Sequence, residues 1–182
     1  MFNSYKGKIL ISTPDASGDI FSRSVVLIIE HNESGAFGLI LNKQNREMSL
    51  KIPHILGKEI QVYEGGPVAR DKLFFIVRDE GNTTSGTSIN NSYYMTDYME
   101  KVVEQILEGK IVPQDVKVFS GYSGWGANQL EMEIQNKYWT VLDIINLNLT
   151  EHNDQRLWKQ LMQTLGGEFL LWANAPENIH QN

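Results

Sequence analysis

The sequence predicts an α+β fold on a mixed, strongly curved sheet, and three observations carry the prediction. Val25-Val26-Leu27-Ile28-Ile29 and Leu73-Phe74-Phe75-Ile76-Val77 are continuous apolar runs with the length and residue types of strands covered on both faces. Hairpin-like pairs come early in the chain and helical stripes late, with some strand–helix–strand units. The 182 residues, 41% apolar and 21% charged, form a chain long enough to bury about 70% of its unfolded surface.

Lys8 to Ser12 reads as the first strand, followed by a loop through Thr13-Pro14-Asp15 and Ser17-Gly18-Asp19. Ser24 to Glu30 and Ala36 to Leu41 form a hairpin around the turn His31 to Gly35. Residues 43–59 read as irregular with one helical turn near Leu50, broken by Pro53 and Gly57. Ile60 to Tyr63 is a short strand, Gly65-Gly66-Pro67 a turn, and Leu73 to Val77 a strand. Asp79 to Thr87 is a polar loop, and Ser88 to Met95 is strand-like.

Asp97 and Glu100 have the spacing of a capping box before Met99, Val102, Val103, Ile106 and Leu107, an amphipathic stripe that Gly109 ends. Val116 to Phe119 is a strand, and Gly121-Tyr122-Ser123-Gly124-Trp125-Gly126 a loop. A short helix from Ala127 to Gln135 places Ala127, Leu130 and Ile134 on one face. Tyr138 to Leu142 is a strand, and Asn153 to Leu165 a helix that buries Leu157, Trp158, Leu161, Met162 and Leu165 before Gly166-Gly167. The total expected is about eight strands and three helices.

Composition narrows the function classes. Sixteen Lys and Arg against 22 Asp and Glu give a net charge of −6, with no basic run, which opposes direct nucleic-acid binding through phosphates. Cysteine is absent, so thiolate metal sites, disulfides and Cys nucleophiles are excluded. No apolar run is long enough for a membrane helix, and the N-terminus lacks the pattern of a signal peptide, so the expectation is a cytoplasmic protein with no membrane partner.

Several residues invite a chemical role. The glycine loop at 121–126 lies between a strand and a helix, the context in which backbone N–H groups hold an anion. Its Gly-x-x-Gly-x-Gly spacing matches neither a dinucleotide fingerprint nor a P-loop, so a tight turn that packs Tyr122 and Trp125 is the competing reading. Ser123 is no nucleophile elbow, because Trp125 stands where glycine is required. Glu30 and His31 end the buried strand without metal-ligand spacing, and His54, His152 and His180 are isolated. Arg23 suits either a bidentate anion contact or a structural ion pair. Glu131 and Glu133 are two residues apart, hence on different helix faces, which argues against a paired-carboxylate site.

Together these segments resemble the YqgE/AlgH family of bacterial proteins. The matching residues are Phe21 to His31, Gly35 to Asn42, Gly65-Gly66-Pro67-Val68, Leu73-Phe74, Gly121 to Gly126, Gln129-Leu130-Glu131, Leu157-Trp158 and Gly166-Gly167, in order from about residue 5 to 170. The chain departs from the family's commonest pattern at Ser123, usually alanine, and at Asn42-Lys43-Gln44, often Asn-Arg-Pro. The resemblance implies one domain over 1–182, with its core at about 5–170 and a tail at 171–182, whose sheet bifurcates into a pseudo-barrel. One branch of the family has been linked to transcriptional control of alginate production, without a recognised DNA-binding motif.

The functional expectation is a non-catalytic binding or regulatory module for a small anionic ligand or a protein. The alternative is an enzyme acting on a small anionic substrate near Gly121 to Gly126. No catalytic residue, metal or cofactor is assigned. The candidate binding set is Arg23, Glu30, His31, Asn42, Gly65, Gly66, Tyr122, Gly124, Trp125, Gln129 and Glu131.

Overall fold

A computed structural model describes residues 2–15, 20–52, 60–79, 86–144 and 146–176. The expectations for Ser17 to Asp19, Pro53, His54, Gly57, residues 80–85, His180 and the chain after Pro176 lie outside the described residues.

The elements in chain order are β1 (Lys8–Ser12), β2 (Val25–Asn32), β3 (Gly35–Ile40), α1 (Arg46–Lys51), β4 (Val62–Glu64), β5 (Val68–Arg78), β6 (Thr87–Ser88) and β7 (Tyr93–Thr96). There follow α2 (Met99–Leu107), a 3-10 turn (Pro113–Asp115), β8 (Val116–Gly126), α3 (Gln129–Gln135), β9 (Trp139–Asp143), α4 (Gln155–Leu165) and α5 (Phe169–Asn174). The fold is α+β, with a nine-stranded sheet in the order β6-β7-β5-β8-β3-β2-β1-β9 and β4 joined to β8. Every ladder is antiparallel except β4 with β8, so the sheet is mixed.

The sheet branches at β8. Residues 116–122 pair with β5, residues 118–120 also pair with β4, and residues 123–126 pair with β3. The ends of the path, β6 and β9, do not pair with each other among the described residues, so these ladders leave the sheet open rather than closed as a pseudo-barrel.

The two apolar runs form β2 and the inner half of β5, as their composition dictates. Alternate residues of β2 feed opposite faces. Val25, Leu27 and Ile29 join a core with Leu39, Phe74, Phe119 and Trp158, whereas Val26 and Ile28 join a core with Ile40, Trp125, Leu130 and Trp139. A third core, under α2 and β7, gathers Val62, Phe75, Val77, Tyr94, Val102 and Val118.

Several expectations are corrected. The glycine-rich stretch 121–126 is no loop but the second half of β8, because its backbone is taken up in the ladder with β3. Ser88 to Met95 is two strands, since the Asn90 side chain accepts from the amides of Ser92 and Tyr93 and turns the chain between them. Asp97 does not cap α2. The Thr96 hydroxyl accepts from the Tyr98 amide, so the helix starts one residue later and Tyr98 takes the cap position without a side-chain bond. Its stripe is rotated as well, with Val102 and Gln105 buried and Met99 and Leu107 exposed. Near Leu50 the helical turn is the helix α1, capped by Asn45. Two further short pieces were not foreseen, the 3-10 turn and α5. The latter runs into the expected tail and buries Ala173 in the first core.

Candidate functional site

The β2–β3 pairing slips between Ile28 and Glu30, so that one extra residue stands in β2. Strict alternation would aim His31 to the same side as Leu27 and Ile29. The bulge instead places it opposite Ala36, on the face covered by α3. There the Tyr5 amide donates to Nδ1 at 2.9 Å and Nε2 lies 3.0 Å from Glu131 Oε1. A ring nitrogen that accepts an amide proton carries none, so the imidazole is the Nε2–H tautomer, donating to the carboxylate. Tyr5 stacks on the ring and Phe2 tilts against it. His31 thus fastens the N-terminal segment and α3 to the sheet. His31→Ala is expected to cost about 2 kcal/mol, the sum of two hydrogen bonds at roughly 1 kcal/mol each, measured as a shift of the urea midpoint.

Two residues further along α3, about half a turn and so on a different face, Glu133 organises a second group. Its Oε2 accepts from the indole N–H of Trp125 at 2.8 Å and of Trp139 at 2.7 Å, and its Oε1 from the Gln129 amide at 2.9 Å. Gln129 Oε1 accepts in turn from the Gly126 amide. The two indoles meet edge to face, and Phe21 packs edge-on against Trp139. Phe21, Gly124, Trp125, Gln129, Glu133, Tyr138 and Trp139 enclose a cleft of about 130 Å3. No Lys, Arg or His among the described residues forms an ion pair with Glu133. The carboxylate is held by neutral donors alone.

The third polar centre is Lys117 on β8. Its ammonium donates to Leu41 O at 2.7 Å, Glu151 O at 2.9 Å and Asn153 Oδ1 at 2.9 Å, and sits 4.1 Å above the Tyr63 ring. Burial pushes its pKa down to about 7. Burial also pushes the Tyr63 phenol up, and its oxygen lies 3.2 Å from His152 Nδ1. Glu151, His152 and Asn153 also line a groove of about 550 Å3 between β9 and α4, whose rim carries Asp143, Asp154 and Arg156. Asp154 is tied to Arg156, and Asp143 to Lys8.

The candidate residues divide among separate places. His31 and Glu131 meet each other, and Gly124, Trp125 and Gln129 meet at the cleft on the same helix. Tyr122 is three residues from Trp125, so strand parity sends it to the opposite core, stacked 4.7 Å from Phe37. Gly65 and Gly66 cross β8 behind it, where a Cβ on either would come under 3.0 Å from the backbone of Gly121 or Tyr122. Arg23 lies over Trp158 and donates to Ala175 O at 2.6 Å, while Asn42 bridges the Val25 amide and Arg23 O. Glu30 is exposed near Thr87.

The anion-nest reading of residues 121–126 is corrected by the ladder, which uses the backbone of 123–126 in the sheet. Glu133, Trp139 and Lys117 are absent from the candidate set. The Gln129/Glu133 spacing of i and i+4 was the readable signal for the first. Nothing local marks Lys117, whose partners are 34 or more residues away. Among the described residues, no group of three or more His, Asp or Glu is placed to hold a metal ion, and no helix is long and apolar enough to cross a membrane.

A family model described as AlgH-like matches residues 9–170. A protein of Cytophaga hutchinsonii described as a UPF0301 protein is 37% identical over 176 residues, 94% of this chain and 95% of its own. One from Bacteroides thetaiotaomicron, with the same description, is 33% identical over 177 residues, 94% of this chain and 88% of its own. The solution structure of the AlgH protein from Pseudomonas aeruginosa superposes with a TM-score of 0.70 at 27% identity, covering 97% of this chain and 99% of that one. A crystal structure from Corynebacterium diphtheriae gives a TM-score of 0.77 at 23% identity, over 96% of this chain and 94% of that one, and so shares the fold.

Proposed function

The chain belongs to the AlgH-like family, and we propose that it is a non-catalytic binding module whose recognition site is the cleft between Trp125, Glu133 and Trp139. One observation carries the reading. The cleft is the place where several candidate residues, Gly124, Trp125 and Gln129, converge on a concave surface of aromatic walls with a few fixed polar groups. That is the usual make-up of a small-ligand site. Among the groups elsewhere with acid–base capacity, His31, Glu131 and Lys117 are engaged by protein partners. A regulatory role, as the family resemblance suggests, would run through a ligand in this cleft or a protein contact. The net charge of −6 opposes phosphate contacts with DNA.

The test is thermal unfolding of the protein and of Gln129→Ala against nucleotides, phosphosugars, organic cations and short oligonucleotides. Gln129 is exposed and its loss leaves the core intact, so the variant folds, and each protein's shift is read against its own ligand-free midpoint. A ligand at 100 times its dissociation constant adds about 2.7 kcal/mol and raises the midpoint by roughly 5–10 °C. The shift is expected in the parent and reduced in Gln129→Ala. Equal shifts in both, no shift with any compound, or conversion of a compound to product would overturn the reading.

A further inference from the structure

From the chemistry of the cleft walls we infer that its ligand is an alkylated ammonium group, an inference that rests on the binding role proposed above. Four aromatic side chains, Phe21, Trp125, Tyr138 and Trp139, line the cleft together with one carboxylate. Aromatic faces carry negative electrostatic potential, and a cation within about 6 Å of a ring centroid gains roughly 0.5–2 kcal/mol, most where water is excluded. Trp125 and Trp139 are buried. Both indole N–H groups point at the Glu133 carboxylate, which draws on the polarised edge of each ring and leaves the faces richer in electrons.

The charge balance points the same way. Glu133 has three neutral donors and no cationic partner among the described residues, so the cleft carries a net negative charge that a bound cation would neutralise. An anion would meet uncompensated repulsion there, which reverses the sign of the ligand expected from the sequence. Both carboxylate oxygens already accept hydrogen bonds, so a ligand head that brings charge without needing strong hydrogen-bond acceptors fits better than a bare ammonium, which needs three. A methylated ammonium is such a head.

Size agrees. About 130 Å3 is close to the ~150 Å3 of apolar cavities that admit a benzene-sized guest, enough for a nitrogen with three or four methyl groups and too little for a nucleotide. The same head group occurs free, as in choline, and on a peptide, as in trimethyl-lysine.

Isothermal titration of the full chain with choline, tetramethylammonium, a trimethyl-lysine peptide and 3,3-dimethylbutanol tests this. The last is choline's neutral isostere. Choline or tetramethylammonium is expected to bind at least tenfold tighter than the neutral alcohol. Phe21→Leu, which keeps apolar bulk and removes a ring face, is expected to weaken the cation roughly tenfold and leave the alcohol unchanged. Glu133→Gln should weaken it further, and if that variant fails to fold, Phe21→Leu decides. A peptide that binds tighter than choline assigns the head to a modified protein, and the reverse assigns it to a free metabolite. Equal binding of choline and its isostere, or none, overturns the ammonium assignment. If the panel above finds another compound whose shift depends on Gln129, the binding role survives that failure.

Discussion

Lys117→Met is expected to destabilise the protein by about 3 kcal/mol at pH 9 and by about 2 kcal/mol less than that at pH 7. At pH 9 the folded side chain is a neutral amine with two N–H donors shared among three oxygens, and the base cost comes from the acceptors it leaves, because each buried acceptor without a partner costs about 1–3 kcal/mol. Glu151 and Asn153 line the groove, so water can reach them and the cost falls in the lower part of the range. Leu41 O has no such relief.

The pH dependence follows from the lowered pKa. Burial sets Lys117 at about 7 in the folded chain, against 10.5 in the unfolded one. Between these values the unfolded chain binds the extra proton, so folding stability rises with pH, with a limiting slope of about 1.4 kcal/mol per unit. Below pH 7 both states are protonated and the full cost of burying the charge is present. Above it that cost falls away in the parent and has no counterpart in methionine. The two variants' stabilities, measured by urea unfolding from pH 6 to 9, should therefore diverge as pH rises. Parallel curves would mean that the three oxygens and the Tyr63 face compensate the buried charge in full.

Gly65→Ala is expected to cost about 4 kcal/mol or more, at the diagnostic end of the range for single substitutions. The Gly65 backbone takes no left-handed conformation, so the reason is steric. A Cβ there would come under 3.0 Å from Gly121 O, and the Gly65 amide and carbonyl are bonded to Ser120 O and the Ile40 amide, so neither strand is free to retreat. Gly109→Ala is the control. Its φ of 70° is left-handed, but nothing lies within 4 Å of the added methyl, so only the conformational cost of about 1–2 kcal/mol applies. Equal losses at the two sites, read from thermal or urea unfolding, would show that the crossing at β8 relaxes.

These two sites mark how far the sequence could be read. β1, β2 and the apolar half of β5 were legible because strand formation there depends on continuous apolar, β-branched composition, and β3 because it returns along β2 from the turn at His31 to Gly35. α4 was legible because Leu157, Trp158 and Met162 recur at helical spacing and are the residues it buries. The reading failed where a local pattern was ambiguous and a distant partner decided it. Gly121 to Gly126 has loop composition, yet it is strand because β3 supplies a ladder and because a close crossing by Gly65 and Gly66 excludes side chains. α2 started late because Thr96 took the Tyr98 amide.

The candidate site divides along the same line. Trp125, Gln129 and Glu131 are close in sequence, and they lie together at the end of β8 and the start of α3. Their grouping with Tyr122 and Arg23 was beyond the sequence, because strand parity sends Tyr122 to the opposite core and Arg23 to Trp158. By itself the sequence determined the α+β class, the main strands, the apolar faces and the absence of thiol chemistry, since these follow from composition and short-range periodicity. Only the tertiary structure decided which face His31 meets, what surrounds Lys117 and what Glu133 holds. A one-residue bulge inverts parity, and burial and hydrogen-bond partnership depend on residues brought together from as far as 152 positions apart, as Arg23 and Ala175 are.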